Sequence, residues 1–269
     1  MKFFYSLISM TLCIFSCHAE IRQVSNMEEV FPYFADADSN TLAIFDVDMV
    51  LIQPGDPAFQ MANMKRFNPI VKRSMKEIPK ENQMVFLSLM TISSDPVLID
   101  KNTVVLLDKL IQRKVPCMAF TANLTGEFGK IKSMEKMRIH SLRQLGIDFS
   151  KGASYAETIE FRDLPSYRGW YSTYLDGVLF ANGTVSPKGE VFSAFIEKTK
   201  LSPKKVIFID DREENLVSLG DALKKIDESI EYLGLHFTAA QNYPSQMISE
   251  KEFESRWEEI ASQAKACGP

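Results

Sequence analysis

Three short apolar runs, each closed by polar or acidic residues, organise the middle of the chain. Thr41-Leu42-Ala43-Ile44-Phe45 ends at Asp46-Val47-Asp48, Val115 to Phe120 ends at Thr121-Ala122-Asn123, and Lys205-Val206-Ile207-Phe208-Ile209 ends at Asp210-Asp211. Continuous apolar runs of this length read as strands buried on both faces. Helical periodicity covers Val104 to Arg113, Ile131 to Leu145, Val191 to Lys200 and Glu214 to Ile226. Strands alternating with such helices predict an α/β fold, a doubly wound parallel sheet covered on both sides.

Two stretches interrupt the alternation. In Pro57 to Met90, the residues Met61, Met64, Ile70, Val71 and Met75 recur at helical spacing, with Lys65, Arg66, Lys72 and Lys76 on the solvated side. This predicts a small helical insert over about residues 55–98, its methionines forming a packed face and not a cofactor box. The segment from about 150 to 186 is aromatic, and Tyr174 to Gly183 carries Asp-Gly and Asn-Gly turn signals around an apolar run, which predicts a β-hairpin. At the C-terminus Ser249 and Glu252 form a capping box. Phe253, Trp257, Ile260, Ala261 and Ala264 then share one helical face, expected to dock on the body of the domain.

The first residues read differently. Lys2, the apolar run Phe3 to Phe15 and the small residues up to Ala19 match a secretory signal peptide over residues 1–19, with a mature start near Glu20. The run is short for a membrane span. Ile14-Phe15-Ser16-Cys17 resembles a bacterial lipoprotein box, apart from the bulky Phe15, so lipidation of Cys17 is the alternative and the one route to a membrane. The expected location is therefore periplasmic or secreted. Of the four cysteines, Cys13 and Cys17 lie in this leader. An oxidising compartment permits a Cys117–Cys267 bridge, although Cys117 reads more simply as a buried apolar side chain and Cys267 as part of a tail. At 269 residues, 45% hydrophobic and 25% charged, the chain is ordinary for a globular protein, and a formal charge of −4 gives no reason to expect nucleic acid as a partner.

In open α/β sheets, ligands bind outside the carboxyl ends of the strands. That rule gathers Asp46, Asp48, Thr121, Asp210 and Asp211 into one crevice. Converging carboxylates repel one another unless a hard cation such as Mg²⁺ compensates them. Lys188, at the start of a helix, would pair with Asp46 and a bound phosphate, while the Thr121 hydroxyl and the backbone N–H groups of Ala122 and Asn123 would donate to it. Each signal alone has a plain reading as a strand end, a cap or a solvated lysine. Their joint order is what argues for a site.

Asp46-Val47-Asp48-Met49-Val50, Thr121, Lys188 and Asp210-Asp211 resemble the four motifs of the haloacid-dehalogenase-like (HAD) superfamily, in order, over about residues 41–220. The hairpin and leader are similar to those of a secreted bacterial subgroup. Asn215 is similar to the polar residue that often follows the fourth motif. The resemblance implies that Asp46 is a nucleophile forming an aspartyl-phosphate and that Asp48 is the general acid and base. It implies that Asp46, the Asp48 backbone carbonyl, Asp210 and Asp211 hold Mg²⁺, and that Thr121 and Lys188 bind the phosphoryl oxygens. The expected activity is hydrolysis of a phosphate monoester, the substrate being a phosphorylated small molecule or a phosphoprotein. A phosphotransferase or mutase, or a non-catalytic secreted binding protein, are the rivals. Met49 is bulky where many members have a small or polar residue, and strand alternation predicts that it points away from the crevice.

Overall fold

The computed structural model describes residues 20–183, 185–242 and 246–267. The expected leader, with Cys13, Cys17 and the lipid-anchor alternative, lies outside them. In chain order the elements are β1 (Glu20–Val24), α1 (Met27–Val30), β2 (Thr41–Phe45), β3 (Ile52–Pro54), α2 (Met61–Arg66), α3 (Asn68–Glu77), α4 (Gln83–Ile92), β4 (Pro96–Leu98), α5 (Asn102–Gln112), β5 (Cys117–Thr121), α6 (Met134–Gln144), β6 (Ile159–Glu160), β7 (Thr173–Leu175), β8 (Val178–Phe180), α7 (Lys188–Thr199), β9 (Lys205–Asp210), α8 (Glu213–Ile226), β10 (Glu231–Phe237), α9 (Ala239–Asn242) and α10 (Glu250–Ala266).

One eight-stranded sheet runs β1-β10-β9-β2-β5-β8-β7-β6. Its pairings are parallel from β1 across to β8 and antiparallel through β7 and β6. Side chains along the central strands alternate between two cores, as strand geometry requires. Ala43, Phe45, Cys117, Ala119, Ile207 and Ile209 pack on the side of α1, α5 and α6. Leu42, Ile44, Met118, Phe120, Val206 and Phe208 pack against α7 and α8 on the other. The fold is thus α/β, with a mostly parallel central sheet covered on both faces.

The predicted hairpin forms as β7 and β8. Asp176 and Gly177, both at positive φ (49° and 79°), make the tight turn whose twist suits the strands. β8 pairs in parallel with β5, and beyond it Gly183 N donates to Ala122 O, so the hairpin is tied to the loop after β5. Cys117 is buried in β5 and Cys267 is exposed after α10; both are free thiols.

The helices α2, α3 and α4 lie between β3 and β4, which pair with each other as a separate two-stranded ribbon. The single helical face expected over 61–75 is broken. Phe67 leaves the helical region (φ −106°, ψ 31°) and α3 restarts around Pro69, tolerated only in the first turn. Met61 consequently departs from the packed face that Met64, Ile70, Val71 and Met75 share.

The C-terminal helix docks through the expected face, on the inserted segment and not on the central sheet. Phe253, Trp257, Ile260, Ala261 and Ala264 pack with Phe59, Phe67, Ile70 and Phe86 of that segment. Trp257 Nε1 donates to Ala58 O (3.0 Å), and Asn82 Nδ2 donates to Ala264 O (2.7 Å). Three short helices cannot enclose a core among themselves, and α10 supplies the missing layer. Its capping box is present, with Ser249 and Glu252 exchanging side-chain and backbone bonds.

Candidate active site

The strands β2, β5 and β9 end side by side, so their closing residues meet. Phe45 is the last residue of β2, but Asp46 N still donates to Ile209 O (2.8 Å), which holds Asp46 beside the end of β9. Asp46, Asp210 and Asp211 each place a carboxylate oxygen within 4.8 Å of the others. Lys188, the first residue of α7, reaches under them. Its Nζ bonds Asp46 Oδ1 (2.9 Å), Asp210 Oδ2 (2.7 Å) and Phe120 O (2.7 Å), which uses all the donors an ammonium has. It also lies 5.2 Å from the ring centroids of both Phe120 and Phe208. Gly189 allows this approach, since a Cβ there would meet Ser218 O of α8 at 2.1 Å.

Lys188 and Asp210 are buried beneath the floor of the cleft, while Asp46, Asp48, Thr121, Ala122, Asn123 and Asp211 line it. Asp210 is fixed by Arg212 N (2.9 Å) and by Asn215 Nδ2, which reaches both of its oxygens (2.9 and 3.2 Å). Asp211 accepts from Gln241 Nε2 at Oδ2 (2.8 Å), and its carbonyl accepts from Gln241 and from the His236 ring.

The electrostatics follow from burial. Desolvation pushes the Asp46 carboxyl well above the usual range, Lys188 opposing and Asp210 and Asp211 reinforcing the shift. Burial alone would lower the Lys188 ammonium, but Asp210 and Asp46 outweigh it and the net shift is upward. Asp211 is raised to about 6, by burial first and then by Asp210.

The sequence-predicted residues do not all take their expected places. Asp48 reaches the cleft, but its carboxylate stands apart from the three-carboxylate group, bonded by Asn123 Nδ2 and paired with Arg138 (3.1 Å). The chain after Asp46 turns and does not continue as a strand: Leu51 N and Ile52 N both donate to Val47 O, and Met49 N donates to Ile52 O. Met49 sits at φ 69° within this turn and lines the cleft, so the alternation argument that pointed it away fails. The Asn123 backbone N–H, expected to face an anion, donates to Thr121 Oγ1 (3.1 Å), as does the Asn123 side chain (2.7 Å).

Sequence reasoning missed Arg138, Gln241 and His236. Arg138 lies on α6 one turn from both Met134 and Leu142, on the buried face. A charge on an inward helical face was the available signal. His236 lies in β10 and Gln241 in α9, elements that the apolar pattern did not resolve.

A family model described as "Protein of unknown function (DUF2608)" matches residues 23–266. The chain belongs to this family. Among curated relatives of the family member, an uncharacterized protein of Rickettsia typhi is 22% identical over 73% of this chain and 67% of its own length. An uncharacterized protein of Rickettsia prowazekii is 27% identical over 48% of this chain and 43% of its own. A Chlamydia trachomatis protein named "Putative outer membrane protein" is 27% identical over 41% of this chain and 37% of its own. The chain thus spans about two thirds of the first relative and less than half of the other two. Among solved structures, a HAD family hydrolase from Salmonella enterica serovar Typhi aligns with 74% of this chain and 68% of its own at 13% identity. The TM-score of that alignment is 0.35.

Proposed function

We propose that this protein is an exported, magnesium-dependent phosphomonoester hydrolase that works through an aspartyl-phosphate on Asp46. The observation that carries the reading is the grouping of Asp46, Asp210 and Asp211 around the single ammonium of Lys188, beside Thr121, at the carboxyl ends of β2, β5 and β9. The HAD-like order of motifs along the chain supports it. Three carboxylates against one lysine leave a surplus of buried negative charge, and an all-oxygen donor set suits Mg²⁺. Asp46 and Asp210, with Asp211 and the Asp48 carbonyl, would hold the ion. When bound, it neutralises charge on the transferring phosphoryl group.

In the first step an Asp46 oxygen attacks phosphorus and the bond to the ester oxygen breaks. Asp48 gives its proton to that departing oxygen. In the second step Asp48 takes a proton from water as the water attacks the phosphorus of the acyl-phosphate. The bond to Asp46 breaks, phosphate leaves and both aspartates are restored. Thr121 has accepted two bonds from Asn123 and keeps its own hydroxyl proton for a phosphoryl oxygen. Lys188 favours the ionised form of Asp46 against the desolvation that opposes it and holds the side chain in place; to touch phosphate it would first release one of its three partners. The insert and α10 act as a cap over the cleft. Export follows from the expected leader, in keeping with the name of the chlamydial relative.

Purified protein lacking residues 1–19 should hydrolyse phosphate monoesters with Mg²⁺, lose the activity in EDTA and regain it when Mg²⁺ is returned. Full turnover in chelator would overturn the mechanism.

A further inference from the structure

We propose that the cleft above Asp46 takes phosphate monoesters whose leaving group is uncharged and apolar, an inference that rests on the phosphohydrolase reading and names its substrate class. The cleft encloses about 560 Å³, within the range of roughly 300–1,000 Å³ for small-molecule sites. Met61, Leu87 and Met90 of the insert and Phe128, Met134 and Met137 of the core line it, with fewer polar side chains away from the strand ends, among them Thr91, Ser94 and Ser141.

The helix α4 gives independent support. Gln83–Ile92 contains no charged residue, although one side of the helix is open: Leu87 is 37% exposed, as is Met61 on α2. A helix face open to water normally carries charge. The neighbouring α3 obeys that rule, with Lys72, Arg73, Lys76 and Glu77 in its sequence. In α4, Phe86 packs into the cluster formed with α10, while Leu87, Met90 and Thr91 line the cleft. Leu87 and Met90 thus turn their apolar side chains to the cleft, whereas Ile92, at the end of the helix, is exposed outside it.

That cavity is not simply a gap left by an insert standing open. Lys130 N of the core loop donates to Ser88 Oγ of α4 (2.9 Å). Gly129, at φ 54°, lies so close that a Cβ would meet Ser88 Oγ at 2.3 Å and Met84 O at 2.5 Å. The two halves already touch, and the space remains. Among the described residues that line it, the two cations are both paired, which leaves no cation set aside for a second anionic group. Arg138 is paired with Asp48, and Arg212 bonds Glu214 through both Nε and Nη2. Methionine side chains on opposing walls accommodate apolar groups of varied shape.

The test is a series of straight-chain alkyl phosphates, from ethyl to octyl, hydrolysed with Mg²⁺ and compared with glycerol phosphate, a sugar bisphosphate and a phosphotyrosine peptide. The alcohols leave with similar intrinsic difficulty, so chain length reports the cleft. The expected result is a rise in kcat/KM of about threefold to fourfold per methylene until the space is filled, with glycerol phosphate below the propyl ester. Leu87→Ser, at a partly exposed position that should not disturb folding, should flatten the rise. A flat or falling series, or a preference for the bisphosphate or the peptide over the hexyl ester, would overturn this inference and leave the hydrolase reading intact. No hydrolysis of any ester would remove both.

Discussion

Lys188 is buried against the Asp46 and Asp210 carboxylates, and its loss should be felt in folding as well as catalysis. Lys188→Met keeps a long side chain between Phe120 and Phe208 but leaves Asp46 and Asp210 without their partner. Breaking a buried pair from one side typically costs about 3–5 kcal/mol. Urea unfolding in chelator should show a loss of this order, smaller once Mg²⁺ is added. Asp211 gives the opposite sign. Its folded pKa of about 6 lies above its ordinary value of 3.8, so its charge opposes folding at neutral pH. That penalty is full above about 6, fades as pH falls through the window between the two values, and is absent below it. Asp211→Asn should therefore be more stable than the natural protein near neutral pH in chelator, with the advantage shrinking as pH falls from about 6 toward 3.8. Denaturation midpoints across that range, with no change in the difference, would remove the assignment.

At the scale of elements, the strands that carry the chemistry were legible and their surroundings were not. β2, β5 and β9 each announce themselves as an apolar run meeting an acid or a threonine, because both faces are covered and only the end is wet. β10 was invisible: Gly234 and His236 interrupt its apolar pattern, and its pairing with β9 and β1 is a tertiary fact. The face of α10 was read correctly, but amphipathicity says which side is buried and not against what. Met49 was misplaced because strand alternation was carried past Phe45, into a turn where Met49 itself is left-handed. Two consequences follow for the insert. A chain ending before Ser249 would expose Phe59, Phe67, Ile70 and Phe86, and limited proteolysis should then cut within α2 to α4 while the sheet stays resistant. Equal resistance of the shortened and full chains would contradict the shared core. Gly129→Ala, which sets a Cβ against Met84 O at positive φ, should loosen the same segment and raise its rate of amide exchange.

For the molecule as a whole, the ends of the sheet strands hold the carboxylates and the insert lines the same cleft, so binding there should register in global stability. A ligand that binds only the folded state raises the melting temperature with its concentration. Mg²⁺ should do so for the natural protein and lose most of that effect in Asp210→Asn. The central claim, that Asp46 carries the phosphoryl group, has a more direct test. Asp48→Asn should form the aspartyl-phosphate from an activated aryl phosphate, whose leaving group hardly needs a proton, and then stall before hydrolysis, with turnover lowered by roughly 10²–10⁴-fold. Quenching this variant in acid after exposure to an aryl phosphate and Mg²⁺, followed by peptide mass spectrometry, should locate phosphate on Asp46. Phosphate on another residue, or natural turnover by Asp46→Asn, would contradict the account.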